Sequence, residues 1–389
     1  MKKLTTLLLF SLSTLSLNAQ NFIQAYQTRA NMVTQSNITT NLQQFENLGV
    51  KTTGSVANNN AFNWLKDKYL AFGYSASQIT EDPFTYNNKS SKNLIITKTG
   101  TVYPNKFVII CGHFDTINGP GVNDNGSGTS IILEAARILK NVPTEYSIKF
   151  IHFSGEEQGL LGSAHYVDNV VYQNNVKQLD IKLVFNLDQV GGVMGNNNNT
   201  IYCDEDQDGL SSNNAASAVI TQELRNCTQL YSPLLTDVDP AEDTDYISFE
   251  EKGEVITGFF EKIRSYYPHT ANDTFANTDP VYIFNVGKAA VGALQHFAVA
   301  SSSILATEEA NVNALESVKI YPNPAKDFLN IELPRDIKDF NFEVTDLLGR
   351  VLIKDKNNTH INVEGLAKGA YIGKLTSKDH VAVRKILIK

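Results

Sequence analysis

The 389-residue chain is 42% hydrophobic and 19% charged, the make-up of a globular protein with length for two or three domains. Its net charge of −8 argues against nucleic acid and anionic membrane surfaces as partners. Three cysteines, Cys111, Cys203 and Cys227, are too few for a disulfide framework.

In chain order, residues 1–19 read as a secretory signal. Lys2 and Lys3 give the positive start, Leu4 to Leu17 the apolar run, and Leu17-Asn18-Ala19 a small-residue cleavage site. The run is too short and too rich in Ser and Thr for a membrane anchor, and no other stretch approaches a membrane span. The expectation is a chain exported through the periplasm, secreted or held at the cell surface. Residues 20–92 read as helical, with Ala61, Phe62, Trp64 and Leu65 followed by Tyr69, Leu70 and Phe72 at helical spacing. Strands follow at Asn93–Lys98 and Lys106–Cys111. The second holds Phe107-Val108-Ile109-Ile110, a continuous apolar run of the kind that fills a central parallel strand. Ser127–Leu139 predicts a helix. Tyr146–Phe153, Ile181–Leu187, Thr200–Cys203 and Glu254–Phe260 predict strands, and Val281–Ala300 a long helix. This alternation predicts an α/β fold, a mostly parallel central sheet covered by helices, over residues 20–300.

The composition changes near Ser301. Residues 301–317 are small, polar and acidic, and read as a linker. From 318 to 389 seven short strand-like runs are separated by turn residues, which predicts a small all-β sandwich. Residues 316–389 carry 13 Lys+Arg against 10 Asp+Glu, so the acidic excess belongs to the first domain.

Five fragments carry chemistry, each at a strand end or in a loop. They are Gly112-His113-Phe114-Asp115, Gly121-Val122-Asn123-Asp124-Asn125-Gly126-Ser127-Gly128, Ser154-Gly155-Glu156-Glu157, Asn186-Leu187-Asp188 and Tyr267-Pro268-His269-Thr270-Ala271-Asn272-Asp273. Open α/β sheets place their sites at the carboxyl ends of strands. Adjacent carboxylates such as Glu156 and Glu157 repel unless one meets a cation and the other is kept to move a proton. Asp115, two residues beyond His113, is placed to hydrogen-bond the second ring nitrogen of a metal-bound histidine.

Over residues 50–300, with all five fragments in order, the chain resembles the secreted co-catalytic zinc aminopeptidases of the bacterial leucyl aminopeptidase type. The resemblance implies two Zn²⁺ per chain and, as substrates, peptides with a free N-terminus. His113 and Asp188 would bind one ion, Glu157 and His269 the other, and Asp124 both. It implies Glu156 as general base, Asp115 as the group that orients His113, and a cis peptide at Asp124–Asn125. The family pattern has Ser-Asp-His where this chain reads Thr244-Asp245-Tyr246, which leaves the ligands intact and the pocket shape open. Tyr246 is either a donor to the substrate carbonyl or a packing residue. Two relatives on the same fold are the alternatives, a single-zinc glutaminyl cyclase and a carboxypeptidase-type enzyme.

The tail resembles the C-terminal sorting domain of proteins exported by the type IX secretion system. The matching residues include Ile320-Tyr321-Pro322-Asn323-Pro324, Asp346-Leu347-Leu348-Gly349-Arg350 and the basic-apolar end Arg384-Lys385-Ile386-Leu387-Ile388. The resemblance implies the type IX machinery as a partner. Last, Asp204, Asp206 and Asp208 precede Gly209 as in the first half of a calcium loop, but position 12 is Ala215. Calcium binding and a solvated acidic turn both fit that stretch.

Overall fold

The structure, a computed structural model, describes residues 20–207, 209–303, 318–333, 339–346, 350–377 and 380–389. The expected signal segment at 1–19, most of the linker at 301–317, Asp208 and the turn at Leu347-Leu348-Gly349 lie outside them. The chain divides into two compact units, one reaching Ile304 and the other beginning at Leu305.

In the first unit three helices lead, α1 (Gln24–Ala30), α2 (Gln35–Asn47) and α3 (Val56–Ala71). The Thr34 and Ser55 side chains cap α2 and α3 by accepting from the amides of Asn37 and Asn58. The stretch read as wholly helical then turns into a hairpin, β1 (Ile79–Tyr86) and β2 (Lys89–Lys98), around Asn87-Asn88. Both asparagines have positive φ, the conformation a two-residue hairpin turn demands. The helical reading failed there because β1, an edge strand, mixes Glu81, Asp82 and Pro83 with its few apolar residues.

The central strands are β3 (Tyr103–His113), β4 (Tyr146–Phe153), β7 (Asp180–Leu187) and β10 (Ile256–Glu261); β5 (Tyr172–Gln173) and β6 (Val176–Lys177) form a separate small hairpin. With β8 (Thr200–Glu205) and β9 (Leu235–Pro240) the large sheet runs β1-β2-β4-β3-β7-β10-β8-β9. Its four central strands are mutually parallel, and β2 and β8 flank them antiparallel. The expected mostly parallel α/β sheet is what forms.

Four further helices are α4 (Gly128–Leu139), α5 (Leu161–Tyr166), α6 (Ser211–Tyr231) and α7 (Ile247–Glu250), followed by α8 (Pro280–Phe297). Helix α8 starts with Pro280 in its first turn, and the Asp279 carboxylate accepts from the amides of Val281 and Tyr282. Two cores result. In the larger, Val108 and Ile110 of β3, Phe150 of β4 and Phe185 of β7 pack with Ile131 and Ala135 of α4 and Val286, Ala290 and Leu294 of α8. On the other face Ile109, Cys111, Ile151 and Val184 pack with Tyr166, Tyr246 and Phe249. This alternation of faces is why the strands read as unbroken apolar runs. All three cysteines are buried, and none is in a disulfide. No helix among the described residues is long and apolar enough to cross a membrane.

The second unit has two sheets. One is β11 (Lys319–Tyr321), β12 (Phe328–Glu332) and β15 (His360–Asn362); the other runs β14 (Val351–Lys356), β13 (Asn341–Thr345), β16 (Gly369–Ser377), β17 (His380–Ile388). Leu329, Ile331 and Ile361 from the first share a core with Phe342, Val344, Leu375 and Ile386 from the second.

Candidate metal centre

The four parallel strands end on one edge of the sheet, and each delivers a chemical group there. Strand β3 ends in His113, β4 leads into Glu156 and Glu157, β7 into Asp188, and β10 into the loop that carries His269. Asp124 comes from the tight segment between β3 and α4, where the Asp124–Asn125 peptide is cis. Gly155, at φ +82, makes the turn out of β4, a conformation that a side chain disfavours.

These side chains form two groups, His113, Asp124 and Asp188, and Asp124, Glu157 and His269; within each, the candidate ligand atoms lie within 4.8 Å of one another. His113 Nε2 is 3.2 Å from Asp124 Oδ1 and 3.4 Å from Asp188 Oδ1. His269 Nε2 is 3.1 Å from Asp124 Oδ2 and 2.9 Å from Glu157 Oε2. Asp124 thus turns one oxygen to each imidazole. Glu156 belongs to neither group, and its Oε2 lies 3.8 Å from His113 Nε2. The His269 side chain is 52% exposed and that of His113 is fully buried, so the second group opens to solvent. A cavity of about 330 Å³ is lined by Asp124, Glu156, Glu157, Asp188 and His269 together with Leu160, Gln189, Phe260, Arg264 and the acidic run Glu242-Asp243.

Asp115 meets His113 more closely through its backbone than through its carboxylate. His113 Nδ1 lies 3.1 Å from the backbone carbonyl of Asp115, while the carboxylate stands 3.8 Å away. That carboxylate accepts instead from the Thr53 hydroxyl at 3.0 Å and from the amides of Glu156 and Glu157, both at 3.3 Å. Its peptide group faces the imidazole, and its side chain pins the turn that carries the Glu156-Glu157 pair.

The electrostatics call for cations. Burial pushes Glu156 up to about 10, against the pull of His113. Burial and the nearby Asp124 charge push Glu157 up to about 8. The Asp124 carboxylate, 3.1 Å away, raises His269 to about 9. Burial works to raise Asp124, and the neighbouring His113 and His269 imidazoles overcome it, holding that carboxyl at about 2. His113 Nε2, Asp124 Oδ2 and Asp188 Oδ1 are buried atoms whose contacts with the neighbouring imidazole and carboxylate atoms, at 3.1 to 3.4 Å, lack hydrogen-bond geometry. Such atoms are costly unless something fills the space between them. Imidazole with carboxylate is the donor set that zinc takes, so the residues present fit that ion.

Asp245, which sequence reasoning did not select, is also fully buried; burial pushes it up to about 7, against the pull of His113 and the nearby Ser163 hydroxyl. Tyr246 resolves as the packing residue. It is fully buried, its hydroxyl donates to Asp204 Oδ2 at 2.9 Å and accepts from the Glu242 amide at 2.6 Å, and so it braces the acidic run beside the cavity.

The calcium expectation for Asp204, Asp206 and Asp208 finds no support. Strand β8 continues through Asp204, and Asp206 accepts from Asn213 Nδ2 at 2.7 Å. Both carboxylates are buried, Asp204 takes the Tyr246 hydroxyl on one oxygen, and among the described residues neither acid belongs to a group that could hold a metal.

Both units resemble known proteins. Residues 93–294, more than half of the chain, match the model for Peptidase family M28, and residues 319–389 match the Secretion system C-terminal sorting domain. The chain is 45% identical over 108 residues to Aminopeptidase YwaD of Bacillus subtilis, covering 27% of this chain and 23% of that protein. It spans between 23% and 35% of the length of the curated relatives it matches. The fold is similar to that of the LapA aminopeptidase of Legionella pneumophila, with a TM-score of 0.62 at 22% identity over 74% of this chain and 76% of that one. It is equally similar to the glutaminyl cyclase of Macrostomum lignano, with a TM-score of 0.61 at 14% identity over 72% and 94%. At these identities both structures speak for the fold alone.

Proposed function

The chain belongs to peptidase family M28, and on that premise we propose that it is an exported two-zinc aminopeptidase that removes the N-terminal residue of peptides. The observation that carries the reading is Asp124, whose two oxygens face two separate imidazole–carboxylate groups. His113 and Asp188 would hold one ion, Glu157 and His269 the other, and Asp124 both. When bound, zinc polarises a carbonyl oxygen and makes water a nucleophile near neutral pH. Glu156, beside the ligands but not among them, takes the proton of the attacking water and passes it to the leaving amine. The Asp115 carboxylate holds the Glu156 and Glu157 amides in place. The acidic lining of the cavity suits a positively charged amino terminus, which favours exopeptidase action.

The sorting-domain match supports export by the type IX system, with residues 318–389 as an address and no part in catalysis. Two intact ligand groups favour this reading over a one-zinc cyclase.

The test is a panel of aminoacyl chromogenic substrates and C-terminally blocked peptides, with and without a chelator. Chelator-sensitive release of free amino acids is expected. Pyroglutamate as the product, or a requirement for a free C-terminus, would refute the reading.

A further inference from the structure

A carboxylate that serves two metal ions must be held to a few tenths of an ångström, yet here every ligand sits on a loop or at a strand end, the parts of a fold that move most easily. Two buried carboxylates outside the ligand set meet this need. Asp273, four residues beyond His269, accepts from the amides of Asn123 at 2.7 Å and Asp124 at 3.0 Å, one on each oxygen. Its backbone carbonyl accepts from Val122 at 3.2 Å. Three successive amides of the Asp124 loop are thereby tied to the His269 loop.

Glu261, the last residue of β10, completes the connection. Its Oε1 accepts from Asn123 Nδ2 at 2.9 Å and from the Ser265 amide at 2.6 Å, and its Oε2 from the Gly192 amide at 2.7 Å. Asn123 in turn accepts from the Gly191 amide at 2.7 Å. A Cβ on Gly191 would lie 2.4 Å from Asn123 Oδ1, so this approach requires glycine. One continuous chain of hydrogen bonds joins the loop after Asp188, the residue before Asp124 and the loop leading to His269.

We infer that Glu261 and Asp273, coupled through Asn123, are positioning residues that fix Asp124 between the two ligand groups. The inference rests on the reading of those groups as zinc sites. Every partner of the two carboxylates is an N–H, so only an all-acceptor group satisfies them. An amide in either place turns an NH₂ towards a donor. Partners of this kind that orient metal ligands typically change metal affinity or activity by about 10–100-fold when removed.

The experiment is zinc titration of the full chain against a competing chromophoric chelator, for wild type, Asp273→Asn, Glu261→Gln and Asn123→Ala, with circular dichroism as the folding control. Asn123→Ala removes no charge and carries the test if a carboxylate variant does not fold. The expected result is folded variants that bind zinc about 10–100-fold more weakly than wild type. Folded variants with wild-type zinc affinity and stoichiometry, their loss confined to thermal stability, would overturn the inference alone. A wild-type chain that takes up no zinc would overturn the reading of the site and the inference with it.

Discussion

Replacing Glu156 by Gln tests the proposed base without disturbing the ligands. The side chain stands in the short turn that follows β4, is 14% exposed, and lies outside both ligand groups. An amide has the same shape, so zinc content should remain as in wild type. What is lost is the ability to take a proton, and a general base contributes about 10²–10⁴-fold. At 1.36 kcal/mol per tenfold, this raises the barrier by about 3–5 kcal/mol. The loss should fall on kcat, measured on an aminoacyl p-nitroanilide, with metal content determined on the same sample. A variant that keeps kcat within a few-fold of wild type would refute Glu156 as the base.

Asp124→Ala should lose both zinc ions, whereas His113→Ala or His269→Ala mainly loses one; metal analysis after gel filtration decides, and two ions retained by Asp124→Ala would contradict the shared ligand. Deleting residues 318–389 should leave the activity of the purified protein unchanged and stop its passage across the outer membrane, because the two units have separate cores. Tyr246→Phe should cost about 1–3 kcal/mol in urea unfolding by leaving Asp204 without its donor, with kcat within a few-fold of wild type. Burial holds His152 down at about 3, against ~6.5 in an unfolded chain. The unfolded chain takes the proton first, so this contribution is intact above about pH 6.5 and is lost as pH falls from there towards 3, by at most ~1.4 kcal/mol per pH unit. In urea melts from pH 7 to pH 5 at fixed zinc, His152→Gln should have the shallower acid slope, and equal slopes would assign acid sensitivity elsewhere.

The central strands are legible in the sequence because they are buried on both faces. Tyr146–Phe153 has the same limits in the sequence reading and in the structure, and the run ending at Leu187 differs by one residue at its start. Where burial is one-sided the sequence is less informative. Strand β1 at the sheet edge and the polar start of β2 were absorbed into the preceding helices, although Asn87-Asn88 was a usable turn signal. The motif residues come together for a related reason. His113, Glu156, Glu157 and Asp188 lie at or just after apolar strands, Asp124 sits in a glycine-flanked fragment and His269 in the loop after β10, and the fold brings them to one edge.

What local reading misses is pairing across long separations. Asp273 stands 150 residues from the Asn123 amide it binds, and Glu261 stands 138 residues from the Asn123 side chain. Asp273 closes the His269 fragment and Glu261 falls just past the predicted strand Glu254–Phe260, but nothing local to either acid shows which amides it meets. The Asp204–Asp208 run shows the converse failure. Its spacing is that of a calcium loop, but spacing does not determine which atoms meet the carboxylates. Tyr246, 42 residues on, donates to Asp204, and Asn213 donates to Asp206. A buried carboxylate is stable beside a cation or beside N–H and O–H donors, and the remote segment that packs against it decides between the two. Asp124 depends on one remote segment in two ways. Its amide donates to Asp273 and one of its oxygens faces His269, so on the proposed reading the segment around His269 would both position the shared ligand and contribute one of its own.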